Sequence, residues 1–263
     1  MTELPVFETI KLTFDGDLLT ATLSRPARAN AVSNQMLREL IALADWLNGN
    51  DAVRFLILAG EGPIFASGQD LRELRDELRD SAGAGAAVRA LQRSAQEVMQ
   101  KLEGLEQISF AVLEGSAYGA GFAIAMTADF RLMSDDAVLN LPETKLGIFL
   151  TYGATPRLVA AMGASRAKEF IMFARDMSAT DAERFGLVNI VAPRAELMAA
   201  ALAQVEELRQ KDFRSLRITK RIAQAAAAVT AGDILMSEPE LSEGALADGT
   251  TLQLVESFFA GRR

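Results

Sequence analysis

The chain has 263 residues, half of them hydrophobic, which is enough for one large domain with a substantial core. Its formal net charge of −8 disfavours nucleic acid as a partner, because nucleic-acid-binding domains carry a basic surface. It contains no Cys and no His, which excludes disulfides, Cys or His metal sites, and any catalytic triad that needs a thiol or an imidazole.

The first residues show no basic segment followed by an apolar one, so we expect no signal peptide. The longest uncharged stretch, 115–128, is too short and too rich in glycine to span a bilayer. These features predict a cytoplasmic protein that does not contact a membrane. Any proton transfer must use Asp, Glu, Lys, Tyr or bound water.

The N-terminal part of the chain predicts strands and one helix. Alternating apolar residues over 6–14 and 18–23 predict a hairpin, and Ser33 is a suitable N-cap for a helix that reaches Trp46. The apolar run 53–59 predicts a strand buried on both faces, and the glycines of 60–70 predict a loop.

The remainder alternates helical and strand-like segments. Further strands are predicted at 108–113, 130–133, 137–141 and 188–191. Helices are predicted at 71–104 with an interruption at 81–85, at 155–175, and from 194 to the end. This order predicts an α/β fold in which helices cover a partly parallel sheet.

The segment 114–129, EGSAYGAGFAIAMTAD, is the most informative part of the chain. Its small residues allow backbone to approach a ligand closely. We expect a buried helix to begin at Ala123, so that free N–H groups face forward where strand becomes helix. Glu143 follows Pro142 in an apolar neighbourhood, which predicts the raised pKa that a general acid/base needs.

Other patterns favour ordinary structural roles. Gly119-Ala120-Gly121 after a strand is similar to a dinucleotide fingerprint, but Ile124 stands where the third glycine would be, and no glycine cluster is followed by the Lys of a P-loop. Basic stripes on two predicted helices are more typical of solvated faces than of phosphate clamps; they comprise Arg72, Arg75 and Arg79, and Arg214, Arg217 and Arg221.

Five segments occur in the order typical of one family. They are SRPARANAVS, FASGQDLREL, the Gly/Ala segment ending in Asp129, LPETKLGIF and DAERFGLVNIV. Together they resemble the crotonase (enoyl-CoA hydratase/isomerase) superfamily over residues 8–195. The resemblance implies an acyl-coenzyme A thioester as substrate, as in fatty acid metabolism. It also implies no metal or redox cofactor, because coenzyme A is part of the substrate.

The resemblance further implies a fold and an assembly. The fold is α/β, with crotonase-like twisted sheets (a ββα superhelix) and a C-terminal helical trimerisation region. We expect residues 1–195 to form the acyl-CoA-binding core and residues 196–263 the helical region. The expected assembly is a homotrimer or a dimer of trimers, that is, a hexamer.

The site residues are carried over by position. In this superfamily two backbone N–H groups hold the thioester oxygen, and the resemblance implies that in this chain they belong to Gln69 and Ala120, with Glu143 as the catalytic acid/base. Asp70 and the loop 25–30 are expected to help seat the coenzyme. The full set of expected substrate-binding residues is Arg25, Ala27, Arg28, Ala29, Ser67, Gly68, Asp70, Leu71, Tyr118, Gly119, Pro142, Thr151 and Tyr152.

The chain departs from the hydratase pattern at Ala123, where typical hydratases carry a first glutamate. A methyl group cannot position or activate water. Glu143 alone favours single-base proton shuttling, which corresponds to a Δ3-to-Δ2 enoyl-CoA isomerase. The alternatives are an enoyl-CoA hydratase, which is a lyase, and a non-catalytic acyl-CoA-binding protein on the same fold.

A second departure covers 148–153, IFLTYG, where hydratases have a turn rich in Pro and Gly. Thr151 and Tyr152 place hydroxyl groups near the expected acyl pocket. They either hold water or a polar acyl group, or serve only as packing and loop residues. Both interpretations stay open from the sequence.

Overall fold

The computed structural model of the protein describes residues 3–79, 84–228 and 250–260. The described strands are β1 (Ile10–Asp15), β2 (Leu18–Leu23), β3 (Phe55–Gly60), β4 (Ile64–Ala66), β5 (Ile108–Leu113), β6 (Ser116–Tyr118), β7 (Phe130–Ser134), β8 (Val138–Asn140), β9 (Met177–Ser178) and β10 (Ile190–Ala192).

The described helices are α1 (Asn34–Asn48), α2 (Leu71–Arg79), α3 (Ala84–Glu103), α4 (Gly119–Ala125), α5 (Ala154–Met162), α6 (Ala164–Phe173), α7 (Ala179–Arg184), α8 (Arg194–Arg209), α9 (Phe213–Ala228) and α10 (Thr250–Ala260). Two short 3-10 helices, Pro26–Arg28 and Glu143–Leu146, lie in loops. No helix in the described ranges is both long enough and apolar enough to cross a membrane.

The strands form two sheets. The larger has the order β1-β2-β3-β5-β7-β10 and is parallel except for the β1–β2 hairpin. The smaller has the order β4-β6-β8-β9, with β4, β6 and β8 parallel. The predicted α/β class with a partly parallel sheet is therefore confirmed.

The larger sheet is covered on both faces, which explains its continuous apolar strands. In β3, Leu56 and Leu58 pack in the core that also contains α1 and α3. The alternate residues Phe55 and Ile57 pack on the opposite face against α8 and α9. The predicted burial of this strand on both faces is confirmed.

The structure changes several boundaries. Ser33 caps α1 as predicted, since its side chain accepts a hydrogen bond from Met36 N–H. The helix expected to begin at Ala123 begins instead at Gly119, because the Gly/Ala segment turns directly from β6 into α4. The predicted loop 60–70 contains β4.

Two predictions fall partly on undescribed residues: the interruption at 81–85 and the helix that was expected to run through 229–249. The division at residue 195 and the trimeric assembly stay predictions. The helix α10 contacts both α2 and the 3-10 helix Glu143–Leu146.

Candidate active site

The three predicted catalytic groups lie just beyond neighbouring strands of the smaller sheet. Gln69 follows β4, Ala120 follows β6 and Glu143 follows β8. These strands are adjacent and parallel, so their carboxyl ends share one edge. Ligands bind at this edge in α/β sheets. The topology thus brings together residues that are far apart in sequence.

The direction of Gln69 N–H is fixed by backbone hydrogen bonds of the residues on either side of it. Val32 N–H donates to Gly68 O at 2.8 Å, and Asp70 N–H donates to Val32 O at 2.9 Å. Successive amides of extended chain point to opposite sides, so Gln69 N–H faces away from Val32. Within the described part of the chain, no residue accepts a hydrogen bond from it.

Ala120 N–H belongs to the first turn of α4, where backbone donors have no helical acceptor. The N-cap residue, Tyr118, makes no side-chain capping bond, and no described residue accepts from Ala120 N–H. The loops of the two donors touch, because a Cβ on Gly68 would lie 3.8 Å from Ala120 N. Two unpaired donors therefore face a common space, as an oxyanion hole requires.

Glycine is needed at positions 68 and 119. Gly68 has φ of +93°, and a Cβ there would lie 3.1 Å from Tyr118 O. Gly119 has φ of +45°, and a Cβ there would lie 2.5 Å from Glu143 Oε1. A side chain at position 119 would therefore displace the carboxylate, since such a contact is sterically forbidden.

Glu143 opens the 3-10 helix that follows Pro142. Its Oε2 atom is buried and has no hydrogen-bond partner among the described residues. Burial raises the pKa of Glu143 from its ordinary 4.5 to about 7, against a smaller opposing effect of its backbone hydrogen bond. A carboxyl group with this pKa can both accept and return a proton near neutral pH.

These groups line one cavity with a volume of about 70 Å³. The predicted site residues in its wall are Ser67, Gly68, Gln69, Leu71, Gly119, Ala120, Pro142, Glu143, Thr151 and Tyr152. The wall also contains residues that sequence reasoning missed: Leu74, Val88, Gln92, Leu146, Ile148, Phe149 and Leu150. Val88 and Gln92 lie one turn apart on α3, and no local sequence pattern marks either of them as a site residue.

The other predicted substrate-binding residues lie outside this wall. They are Arg25, Ala27, Arg28, Ala29, Asp70 and Tyr118. Ala27 and Arg28 are exposed. Arg25 forms an ion pair with Asp70 at 3.0 Å and also donates to Ala31 O. This pair ties the loop 25–31 to the loop that carries Gln69, so it positions that donor.

Ala123 occupies the position on α4 from which a second carboxylate could reach the cavity. It lies three residues after Ala120 and four after Gly119 on α4, so it shares the face of the helix that they occupy. It is fully buried and is not part of the cavity wall. A longer side chain at this position would point back toward the start of the helix and the cavity.

No group of three or more acidic side chains in the described ranges is arranged to hold a metal ion. The expectation that neither a metal nor a redox cofactor takes part stays a prediction.

A family profile described as enoyl-CoA hydratase/isomerase matches residues 13–243. The chain belongs to the enoyl-CoA hydratase/isomerase family. Its relative YngF of Bacillus subtilis, provisionally named an enoyl-CoA hydratase/isomerase, is 39% identical over 189 residues, covering 69% of this chain and 70% of YngF. The short-chain-enoyl-CoA hydratase of Clostridium acetobutylicum is 34% identical over 188 residues, covering 71% and 70% of the two chains.

Solved structures of the family have the same fold. A Thermobifida fusca protein, provisionally named an enoyl-CoA hydratase and solved in complex with acetoacetyl-CoA, is 31% identical with a TM-score of 0.76. The match covers 90% of this chain and 93% of that chain. The predicted family and crotonase-like fold are confirmed. Both the Thermobifida fusca protein and the Clostridium relative are named hydratases, so their names do not support the preference for an isomerase.

Proposed function

We propose that this member of the enoyl-CoA hydratase/isomerase family converts 3-enoyl-CoA to 2-enoyl-CoA thioesters with Glu143 as its single base. One observation carries the proposal. Glu143 is the sole acidic side chain among the described residues of the cavity wall. The position that could supply a second carboxylate from α4 is Ala123.

The proposed reaction balances with one proton. The Glu143 carboxylate takes a proton from C2 of the 3-enoyl thioester, and the electron pair moves onto the thioester oxygen. Gln69 N–H and Ala120 N–H donate to this enolate, and each such donor contributes about 3–4 kcal/mol to the barrier reduction. As the enolate collapses, protonated Glu143 delivers the proton to C4, which leaves the double bond between C2 and C3.

Tyr152 does not act as a second base in this scheme. Burial raises the pKa of its hydroxyl, and the charges of Glu143, Glu73 and Glu77 act in the same direction. The phenol therefore stays protonated at neutral pH. Hydration would need a group that orients and activates water, and position 123 carries only a methyl group.

Hydration is the second candidate because the Clostridium relative is named a hydratase. Assays with hex-3-enoyl-CoA and hex-2-enoyl-CoA separate the two reactions. We expect isomerisation of the first to exceed hydration of the second by at least about a hundredfold, the lower end of the contribution of one acid/base group. The reverse order would establish a hydratase. Binding of both thioesters without turnover would establish a non-catalytic acyl-CoA-binding protein.

A variant of α4 tests whether isomerisation exceeds hydration because position 123 lacks a carboxylate. Ala123→Glu restores a carboxylate on the helix face shared by Gly119 and Ala120. We expect the ratio of hydration to isomerisation to rise in this variant. Ala123→Gln is the matched control for the added bulk, and an equal rise in both variants would contradict the role assigned to the carboxylate.

A further inference from the structure

Three residues of the cavity wall each carry a buried polar atom that has no hydrogen-bond partner in the described structure. These atoms are Glu143 Oε2, Tyr152 Oη and Gln92 Oε1. Glu143 is assigned to proton transfer, which leaves the other two without a role. They approach the cavity from different elements, since Gln92 lies on α3 and Tyr152 lies just before α5.

The other buried side-chain atoms without hydrogen-bond partners in the described ranges belong to residues outside the cavity wall. Glu77 Oε2, Gln107 Oε1 and Asn140 Oδ1 do not line the cavity, and another polar atom of each of those side chains makes a hydrogen bond. The hydroxyl of Tyr152 is its only polar side-chain atom. Tyr152 and Gln92 are 2% and 4% exposed, so bulk water does not replace the missing partners.

Tyrosine is unfavourable at position 152 in two ways. Leaving a hydroxyl buried and unpaired costs about 1–3 kcal/mol, which phenylalanine would avoid. Its φ of +61° lies in the left-handed region, where a bulky residue is strained by about 1–3 kcal/mol. Unfavourable choices of this kind occur at ligand sites, where the ligand supplies the missing contact.

The two side chains suit an uncharged polar group. A protonated phenol donates one hydrogen bond, and the Gln92 amide oxygen accepts one. Glu143, Glu73 and Glu77 all act electrostatically on Tyr152, so an anionic acyl group would meet negative charge. Much of the remaining wall is apolar, including Leu74, Val88 and Leu150. A single polar group in an apolar acyl chain matches this wall.

We propose that the cavity selects acyl-CoA thioesters whose acyl chain carries an uncharged hydrogen-bonding substituent, with a hydroxyl as the simplest case, bound by Tyr152 Oη and Gln92 Oε1. The proposal names the substrate class of the site described above, so it rests on acyl-CoA binding by the proposed enzyme. It does not depend on which reaction Glu143 performs.

Equilibrium binding of saturated thioesters tests the proposal without turnover. The probes are hexanoyl-CoA, its 4-, 5- and 6-hydroxy derivatives, and adipoyl-CoA as the anionic counterpart. We expect the wild-type protein to bind one hydroxy derivative at least about tenfold more tightly than hexanoyl-CoA, which is the effect of one buried hydrogen bond. Adipoyl-CoA should bind more weakly than hexanoyl-CoA.

Two variants test whether Tyr152 and Gln92 cause the preference for the hydroxylated thioester. Tyr152→Phe and Gln92→Leu should each reduce the preference for the hydroxylated probe toward one. Gln210→Leu, which removes an exposed amide at the end of α8, is the matched control and should keep the full preference. If Tyr152→Phe does not fold, Gln92→Leu still tests the same prediction.

Two results would overturn the proposal. The first is equal affinity of the wild-type protein for hexanoyl-CoA and all three hydroxy derivatives, which would mean that the polar atoms hold water. The second is a hydroxyl preference that both variants keep. Failure of the proposed isomerisation would be recognised separately, as tight binding of these probes together with no conversion of hex-3-enoyl-CoA.

Discussion

Glu143→Gln should stabilise the protein at neutral and alkaline pH. In the folded state burial raises the pKa of this carboxyl group to about 7, whereas its ordinary value is 4.5. Below pH 4.5 the group is protonated in both folded and unfolded protein, so it has no effect on stability. As the pH rises from 4.5 to 7, the unfolded state ionises first and is favoured, and above pH 7 the full cost persists.

The magnitude follows from the size of the shift. One pKa unit is worth about 1.4 kcal/mol, so the raised pKa costs the folded state about 3 kcal/mol above pH 7. At pH 5 the same relation gives about 1 kcal/mol. Glutamine keeps the size of the side chain and removes the charge. Its stability advantage should therefore grow by about 2–2.5 kcal/mol between pH 5 and pH 8.

Urea unfolding at matched protein concentration measures this difference at the two pH values. Glu207→Gln is the control, because Glu207 is an exposed glutamate on α8. The control should show no such growth. A stability difference between wild type and Glu143→Gln that stays constant from pH 5 to pH 8 would refute the reasoning, because it would mean that the Glu143 carboxylate is not desolvated in the folded protein.

The remaining predictions concern activity. The kcat/KM for hex-3-enoyl-CoA should fall tenfold per pH unit below about pH 7, because Glu143 must be ionised to accept the proton, and a profile that is flat down to pH 5 would exclude it as the base. Gly119→Ala should lower kcat by at least about a hundredfold, because its Cβ would lie 2.5 Å from Glu143 Oε1 and catalytic geometry tolerates little displacement. Gly16→Ala is the control, since Gly16 also has a positive φ, of +65°, and a Cβ there would meet no atom closer than 3.9 Å; an equal loss of kcat in both variants would show that backbone strain is the cause.

The sequence predicted the larger sheet well because its strands carry strong patterns. The runs 53–59 and 108–113 are apolar throughout, and the structure places β3 and β5 at 55–60 and 108–113. Burial on both faces produces this continuous pattern, so periodicity within each segment is informative without knowledge of its neighbours.

Of the smaller sheet, the sequence predicted only β8, which lies within the expected strand 137–141. The strands β4, β6 and β9 were missed because they have only two or three residues each, which is too short for an alternating pattern to be recognised. Two of them lie in segments whose glycines predicted loops or close backbone approach. Yet this sheet aligns the donors and the base, so the spatial arrangement of the site was accessible only through the resemblance.

Individual site residues show the same limit. Glu143 stood out because a carboxylate after a proline among apolar residues is unusual. Gln92 did not, because a glutamine in a long helix is ordinary until the packing of α3 shows that it faces a cavity. The pairing of Arg25 with Asp70 joins residues 45 positions apart, and no local pattern indicates it.

The most direct test of the central claim is the turnover of hex-3-enoyl-CoA by Glu143→Gln, measured together with its affinity for hexanoyl-CoA. The account predicts that turnover falls by at least about a thousandfold, within the range for a general acid/base group, while the affinity changes less than about threefold. Turnover close to that of the wild type would contradict the assignment of Glu143 as the group that moves the proton.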